Sequence, residues 1–315
     1  MALRPALVGV IAALAAFGTV PLAQAAVGSG PAPQQQAAEP ERHGVKPIHP
    51  ALAAQAASGN TLKVGSSAST GVVSPQPKVF LVFWGSQWSK DPAGAATGLQ
   101  NLFKGLFGSK DNWGTIMNQY CEGVAKGTTT CGPAGIHIKH PTASPLAGVW
   151  FDKSAAAPGK ATASQIGREA VKAAQHFGNT TQAPNLNAQY VIASPTGTHP
   201  DGFNTPGGGF CAWHSSTGST VGTVAFTNLP YVPDLGTGGC TTLSNARPLD
   251  GYESTETHEY AETLTDFFPA RGWNGGGGEI GDACVNQDRR ITLTTGTFDV
   301  QGLWSNDLNK CTTKE

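Results

Sequence analysis

The 315-residue sequence predicts one α/β (α+β) domain, a mixed sheet flanked by helices and stapled by disulfides. Three observations carry this reading. Short strand-like runs, apolar or alternating, alternate along the chain with segments whose apolar residues recur at helical spacing. Six cysteines, an even number, follow an export-type leader. After the leader and a low-complexity stretch about 240 residues remain, ample for one well-buried core.

Met1 to Arg4 is a short basic start, Ala6 to Val20 an apolar run, and Ala23-Gln24-Ala25 an A-x-A cleavage site, so residues 1–25 read as a signal peptide. The run is too short for a stop-transfer helix, and no other segment approaches membrane length. Residues 26–75 are rich in Ala, Gln, Ser, Gly and Pro and read as a linker or pro-segment. The folded domain is expected over 76–315.

Lys78 to Gly85 is a continuous apolar run closed by glycine, the pattern of a buried strand. Ala95 to Phe107 has helical spacing through Leu99, Leu102, Phe103 and Leu106, and Asn112 to Tyr120 adds a short helix. Gly135 to His140 alternates as a strand. Ala163 to Phe177 is the clearest helix, with Ile166, Ala170, Val171 and Ala174 on one face, and Ala188 to Ala193 is a second central strand. Gly197 to Gly218 reads mostly as loop, Gly222 to Thr227 as a third strand, Tyr252 to Leu264 as a helix and Thr297 to Trp304 as a final strand.

With 41 glycines, 22 prolines, 13 % charged residues and a net charge of −1, the chain fits a loop-rich extracellular domain. Nucleic-acid or anionic-membrane binding would call for clustered Lys and Arg, and there are none. Six cysteines allow fifteen pairings, and sequence neighbours suggest Cys121–Cys131, Cys211–Cys240 and Cys284–Cys311. A four-thiolate zinc site is the competing use, but the chain has no C-x-x-C.

The chemistry concentrates in Thr257-His258-Glu259-Tyr260-Ala261-Glu262. Positions i and i+4 share a helix face, roughly 6 Å apart at Cβ, so His258 and Glu262 can reach one ion. Glu259 sits one step round, beside that ion. This is the H-E-x-x-H layout with the second histidine replaced by glutamate. About seventeen residues beyond Glu262, after four glycines, comes Glu279-Ile280-Gly281-Asp282. A third ligand from Glu279 or Asp282 would complete a zinc site with an open position for the attacking water. Asp282 could instead orient His258 from its other nitrogen. Two carboxylate ligands would leave the bound water less acidic, so His214 is the other candidate for third ligand. Glu259 is then the expected general base. His214 and its neighbour Trp213 are also candidate substrate contacts. As an isolated pattern, Glu259 and Glu262 would simply form the solvated face of a surface helix; the downstream acidic pair argues for the site.

Other constellations are weaker. A calcium site from Asp282, Asn286 and Asp288 would be structural. No G-x-S-x-G elbow exists for a serine hydrolase, and carboxylates three or four apart on one helix sit too close to flank a glycosidic bond. His43 and His49 fall in the linker. His137, His140 and His176 lie on elements without acidic neighbours, and His199 is near Asp201.

Four blocks resemble the EXORDIUM / phosphate-induced protein family of plants and its secreted bacterial relatives: Val79 to Ser89, Gly209 to His214, His258 to Trp273 and Glu279 to Cys284. The tail Val300 to Asn306 with Cys311 is similar to that family's close, and the likeness spans about residues 78–312. This chain lacks the family's further cysteines around the Phe-Cys-x-x-His block. The resemblance implies an extracellular, wall-associated protein and supplies no agreed reaction. The residues themselves lead to a monomeric, secreted, zinc-dependent hydrolase of proteins or peptides. The competing expectation is a non-catalytic extracellular protein of the EXORDIUM type holding at most a structural metal.

Overall fold

The computed structural model describes residues 39–47, 61–140 and 143–314, which belong to one compact unit. The leader expected at 1–25, most of the expected linker, and His49 lie outside the described residues. In chain order the elements are β1 (His43–Pro47), β2 (Lys63–Val64), β3 (Lys78–Trp84), α1 (Ala95–Gly105), β4 (Cys121–Glu122), β5 (Ile136–His137) and β6 (Leu146–Asp152). There follow α2 (Ala163–His176), α3 (Gln182–Asn185), β7 (Ala188–Ala193), β8 (Phe210–Ser219), β9 (Gly222–Leu229) and α4 (Asp250–Thr265). The chain closes with β10 (Trp273–Asn274), β11 (Asp288–Leu293), β12 (Gly296–Gln301), β13 (Leu303–Ser305) and β14 (Lys310–Thr312).

Six strands form a mixed sheet in the order β1-β8-β9-β7-β3-β6. β6, β3, β7 and β9 are parallel, β8 runs antiparallel to β9, and β1 antiparallel to β8. The central strands are apolar on both faces because both faces are covered. One face carries α2, started by a capping box at Thr162 and Gln165, with Ile166, Ala170, Ala173 and Ala174 packed on Tyr190, Ile192 and Phe226. The other face carries α4, wedged between β8, β9 and β1 on one side and β12 and α1 on the other.

Several expectations change. Residues 43–47, read as linker, pair with β8 through a backbone ladder, and 63–64 pair with β10, where Leu62 and Val64, and further on Val72 and Val73, are buried in the core. The segment read as loop after Gly197 contains β8, a ten-residue strand whose second half, Ser215 to Ser219, is too polar to show an apolar run. β6 is a further strand not expected from the sequence, although Leu146, Val149, Trp150 and Phe151 are apolar; it is the sheet's other edge, and most of its side chains are only partly buried. The helix expected over Asn112 to Tyr120 is a 3-10 turn, Gly114–Gln119, wound over the Asp111 carboxylate, which accepts the amides of Trp113 and Gly114. The terminal strand is two strands broken at Gly302. Strands β3 and β7 share one sheet, as expected, and the disulfides are Cys121–Cys131, Cys211–Cys240 and Cys284–Cys311.

Candidate metal centre

Helix α4 is buried along all sixteen residues, although it carries Asp250, Glu253, Glu256, Glu259 and Glu262. A surface helix with a solvated acidic face is therefore excluded. Burying ionised carboxylates requires partners, and the helix treats its acids unequally. Asp250 accepts from Arg247 at 2.6 and 2.8 Å and from Arg290. Burial alone would raise its pKa, but the two guanidiniums outweigh it and hold the carboxyl below its ordinary range. Glu253 accepts the Asp299 amide at 2.9 Å. Glu256 and Glu259 have no hydrogen-bond partner for either carboxylate oxygen among the described residues. Burial pushes both far up, and Glu259 is raised further by Glu262, Glu256, Asp282 and Glu279.

The next face of α4 brings His258 and Glu262 together, with Nε2 and Oε2 3.1 Å apart. The amide of Gln301, on β12, orients the ring. Its Nε2 donates to the Gly281 carbonyl at 2.7 Å, so its Oε1 faces His258 Nδ1 at 3.1 Å and accepts the proton there. His258 Nε2 then presents a lone pair to Glu262 Oε2, and neither atom has a hydrogen-bond partner among the described residues. Two buried acceptors this close repel unless a proton or a cation lies between them.

The loop after the glycine run completes the cluster. The Gly281 and Asp282 amides donate to Glu262 Oε1 at 3.2 and 2.9 Å, leaving Oε2 for the centre. Asp282 Oδ1 is 3.8 Å from His258 Nε2. On β8, His214 Nε2 is 3.2 Å from Glu279 Oε2 and 3.9 Å from Glu262 Oε2. The loop is fastened by the Cys284–Cys311 disulfide and by the Trp304 amide on the Ile280 carbonyl at 3.0 Å. A Cβ on Gly281 would lie 2.7 Å from His258 Nδ1 and 2.9 Å from Glu262 Oε1, so glycine is needed for this approach.

Two groups that could hold a metal ion result, His258–Glu262–Asp282 and His214–Glu262–Glu279, sharing Glu262. Tetrahedral ligands at about 2.0–2.2 Å from zinc stand roughly 3.3–3.6 Å from one another, and the contacts of 3.1–3.9 Å bracket that edge. Without a cation the electrostatics run against ionisation. Burial lowers His258 to about 4 and lowers His214, while it raises Glu262 to about 7, Asp282 to about 6 and Glu279 well above the carboxylate range. Neutral imidazoles and a dication that restores the carboxylates are the states a metal site uses.

Trp213 does not reach this centre. Successive strand residues face opposite sides of a sheet, so with His214 toward α4 its neighbour packs into the α2 face, fully buried and edge-on to Phe226 at 5.8 Å between centroids. Its expected role as a substrate contact is corrected. Asp282 and Asp288 turn to different partners: Asp288 takes Lys46, Ser254 and Thr242. His140 does have an acidic neighbour, Asp111 at 3.6 Å, and Asp201 is engaged by Arg42 rather than His199. Sequence reasoning missed Gln301, whose only signal is its place in the β12 alternation, and Gly44, which carried none. Comparison with protein-family models, curated proteins and solved structures returned no match.

Proposed function

We propose that the protein is a secreted, zinc-dependent peptidase-like hydrolase. The observation that carries this reading is the His258–Glu262 pair, held 3.1 Å apart with both facing atoms unpartnered among the described residues, inside a shell that already satisfies their other atoms. His258, Glu262 and Asp282 would hold the cation. His214 and Glu279 form the adjoining set through the shared Glu262. Zinc in such a site supplies Lewis acidity and makes water a usable nucleophile near neutral pH.

The chain's own groups do the rest. Gln301 fixes the His258 tautomer. Glu259, buried with no partner for either oxygen among the described residues and surrounded by carboxylates, would act as general base once the cation restores its ionised form, and would later return the proton to a leaving amine. Export is supported by the leader sequence and three disulfides, and no described helix is long and apolar enough to cross a membrane. The EXORDIUM resemblance belongs to the same extracellular reading.

One observation favours the non-catalytic alternative. His214, His258 and Glu262 are fully buried, and structural zinc sites are closed whereas catalytic ones keep an open position. A casein assay on zinc-loaded protein separates the two. Chelator-sensitive hydrolysis that falls about 10²–10⁴-fold in Glu259→Gln, with zinc content retained, supports the hydrolase. Retained zinc with no hydrolysis, both in the native chain and in a Gly44→Ala chain whose first strand no longer fits over the centre, supports the structural metal.

A further inference from the structure

Strand β1 is what closes the centre. Gly44 lies against the shared ligand: a Cβ there would overlap Glu262 Oε2 and lie 2.6 Å from His214 Cδ2. Its φ of +52° and the close approach both require glycine. The strand passes antiparallel to β8, pairing His43 with His214, Lys46 with Ala212 and Pro47 with Phe210, with breaks in register. If β1 were lifted off, β8 would become an unpaired sheet edge running past the ligand cluster.

β1 does not behave like a core strand. Its two buried residues are Gly44 and Lys46, while Val45 points outward and is 37 % exposed. It therefore brings no apolar side chain inside. Its attachments are those of a bound peptide: a backbone ladder, the Arg42–Asp201 ion pair at 2.6 Å, and one side chain in a specific pocket. That side chain is Lys46. Its ammonium is 2.5 Å from Ser254 Oγ and 3.5 Å from Asp288 Oδ1, with Lys46 and Asp288 side chains only 4 % and 2 % exposed. A buried ammonium is costly without such a carboxylate, so the pocket discriminates by charge.

We infer that residues 43–47 occupy a peptide-binding cleft as a built-in, substrate-like strand, and that the cleft accepts extended peptides bearing a lysine two residues after the residue over the centre. Rested on the hydrolase reading, this makes the native chain a self-blocked enzyme with Asp288 and Ser254 as its specificity pocket.

The test uses the full zinc-loaded chain and a fluorescent peptide with the sequence of residues 41–47, read by anisotropy, beside the same peptide with glutamate in place of lysine. Gly44→Ala expels the strand from the centre, and Lys46→Ala empties the pocket. Both variants should bind the lysine peptide at least about tenfold more tightly than the native chain, and neither should take the glutamate peptide. A gain of selective binding cannot come from a misfolded chain. Adding Asp288→Lys to Gly44→Ala should reverse the preference. Equal binding by native and variant chains, or no preference between the peptides, overturns the inference. Selective binding without hydrolysis upholds the cleft while defeating the hydrolase. Casein hydrolysis at one rate in native chain and variants does the reverse.

Discussion

The two halves of α4 bury the same kind of residue and handle it in opposite ways. At the N-terminal half, Asp250 has two arginines and Glu253 a backbone amide with Arg247 3.6 Å away. At the C-terminal half, Glu256, Glu259 and Glu262 retain buried oxygens with no partner among the described residues, and His258 adds an unpartnered nitrogen. One helix, in one environment, thus supplies internal cations where acids serve stability and withholds them where the acids converge with histidines. The difference argues that the second half is completed from outside the chain.

Breaking the second half should have the largest effect. His258→Ala removes the proposed ligand that Gln301 orients, and we expect loss of both zinc and hydrolysis, measured by metal analysis and casein degradation. Retention of full zinc would move the centre to His214 and Glu279.

Breaking the first half should cost stability alone. Asp250→Ala leaves Arg290 and Arg247 without their carboxylate; because these guanidiniums are 23 % and 43 % exposed, water recovers part of the loss. A drop of about 1–3 kcal/mol in urea unfolding is expected, discounted from the value for fully buried pairs, with zinc binding unchanged.

The third prediction concerns metal-free protein. Glu262 and Asp282, with pKa raised to about 7 and 6, bind protons more tightly folded than unfolded, as do Glu259 and Glu279. Their contribution is fully present below the unfolded carboxylate pKa and lost as pH rises through the folded values. His258, lowered to about 4, acts oppositely, losing stability as pH falls below its ordinary value, but four carboxylates outnumber the histidines. Thermal melts of chelated protein should therefore show lower stability at pH 8 than at pH 5.5, and zinc should remove that decline. A chelated chain that gains stability over this range would contradict the electrostatic account.

Much of the fold was legible because β3, β7, α1 and α2 carry their periodicity in apolar residues, the signal that burial writes into sequence. The cysteine pairs followed from proximity. β1 and the second half of β8 were not legible, because their reasons for being strands are backbone pairing and polar contacts. At the centre, His258, Glu262, Glu279 and Asp282 could be named from i,i+4 spacing and the downstream acidic pair. What sequence could not convey was that α4 is buried all round. Its apolar residues form no stripe, since it lies between two layers and the polar face is itself the site. Trp213 was misplaced for a related reason: adjacency in sequence means opposite faces in a strand.

The central claim, that the C-terminal half of α4 is completed by a cation, is tested most directly by zinc titration of the chelated full chain, native beside Glu262→Gln. The account predicts stoichiometric zinc binding in the native chain that is abolished in the variant, since Glu262 belongs to both ligand groups. A native chain that binds no zinc, or a Glu262→Gln variant that binds it equally well, would contradict the claim.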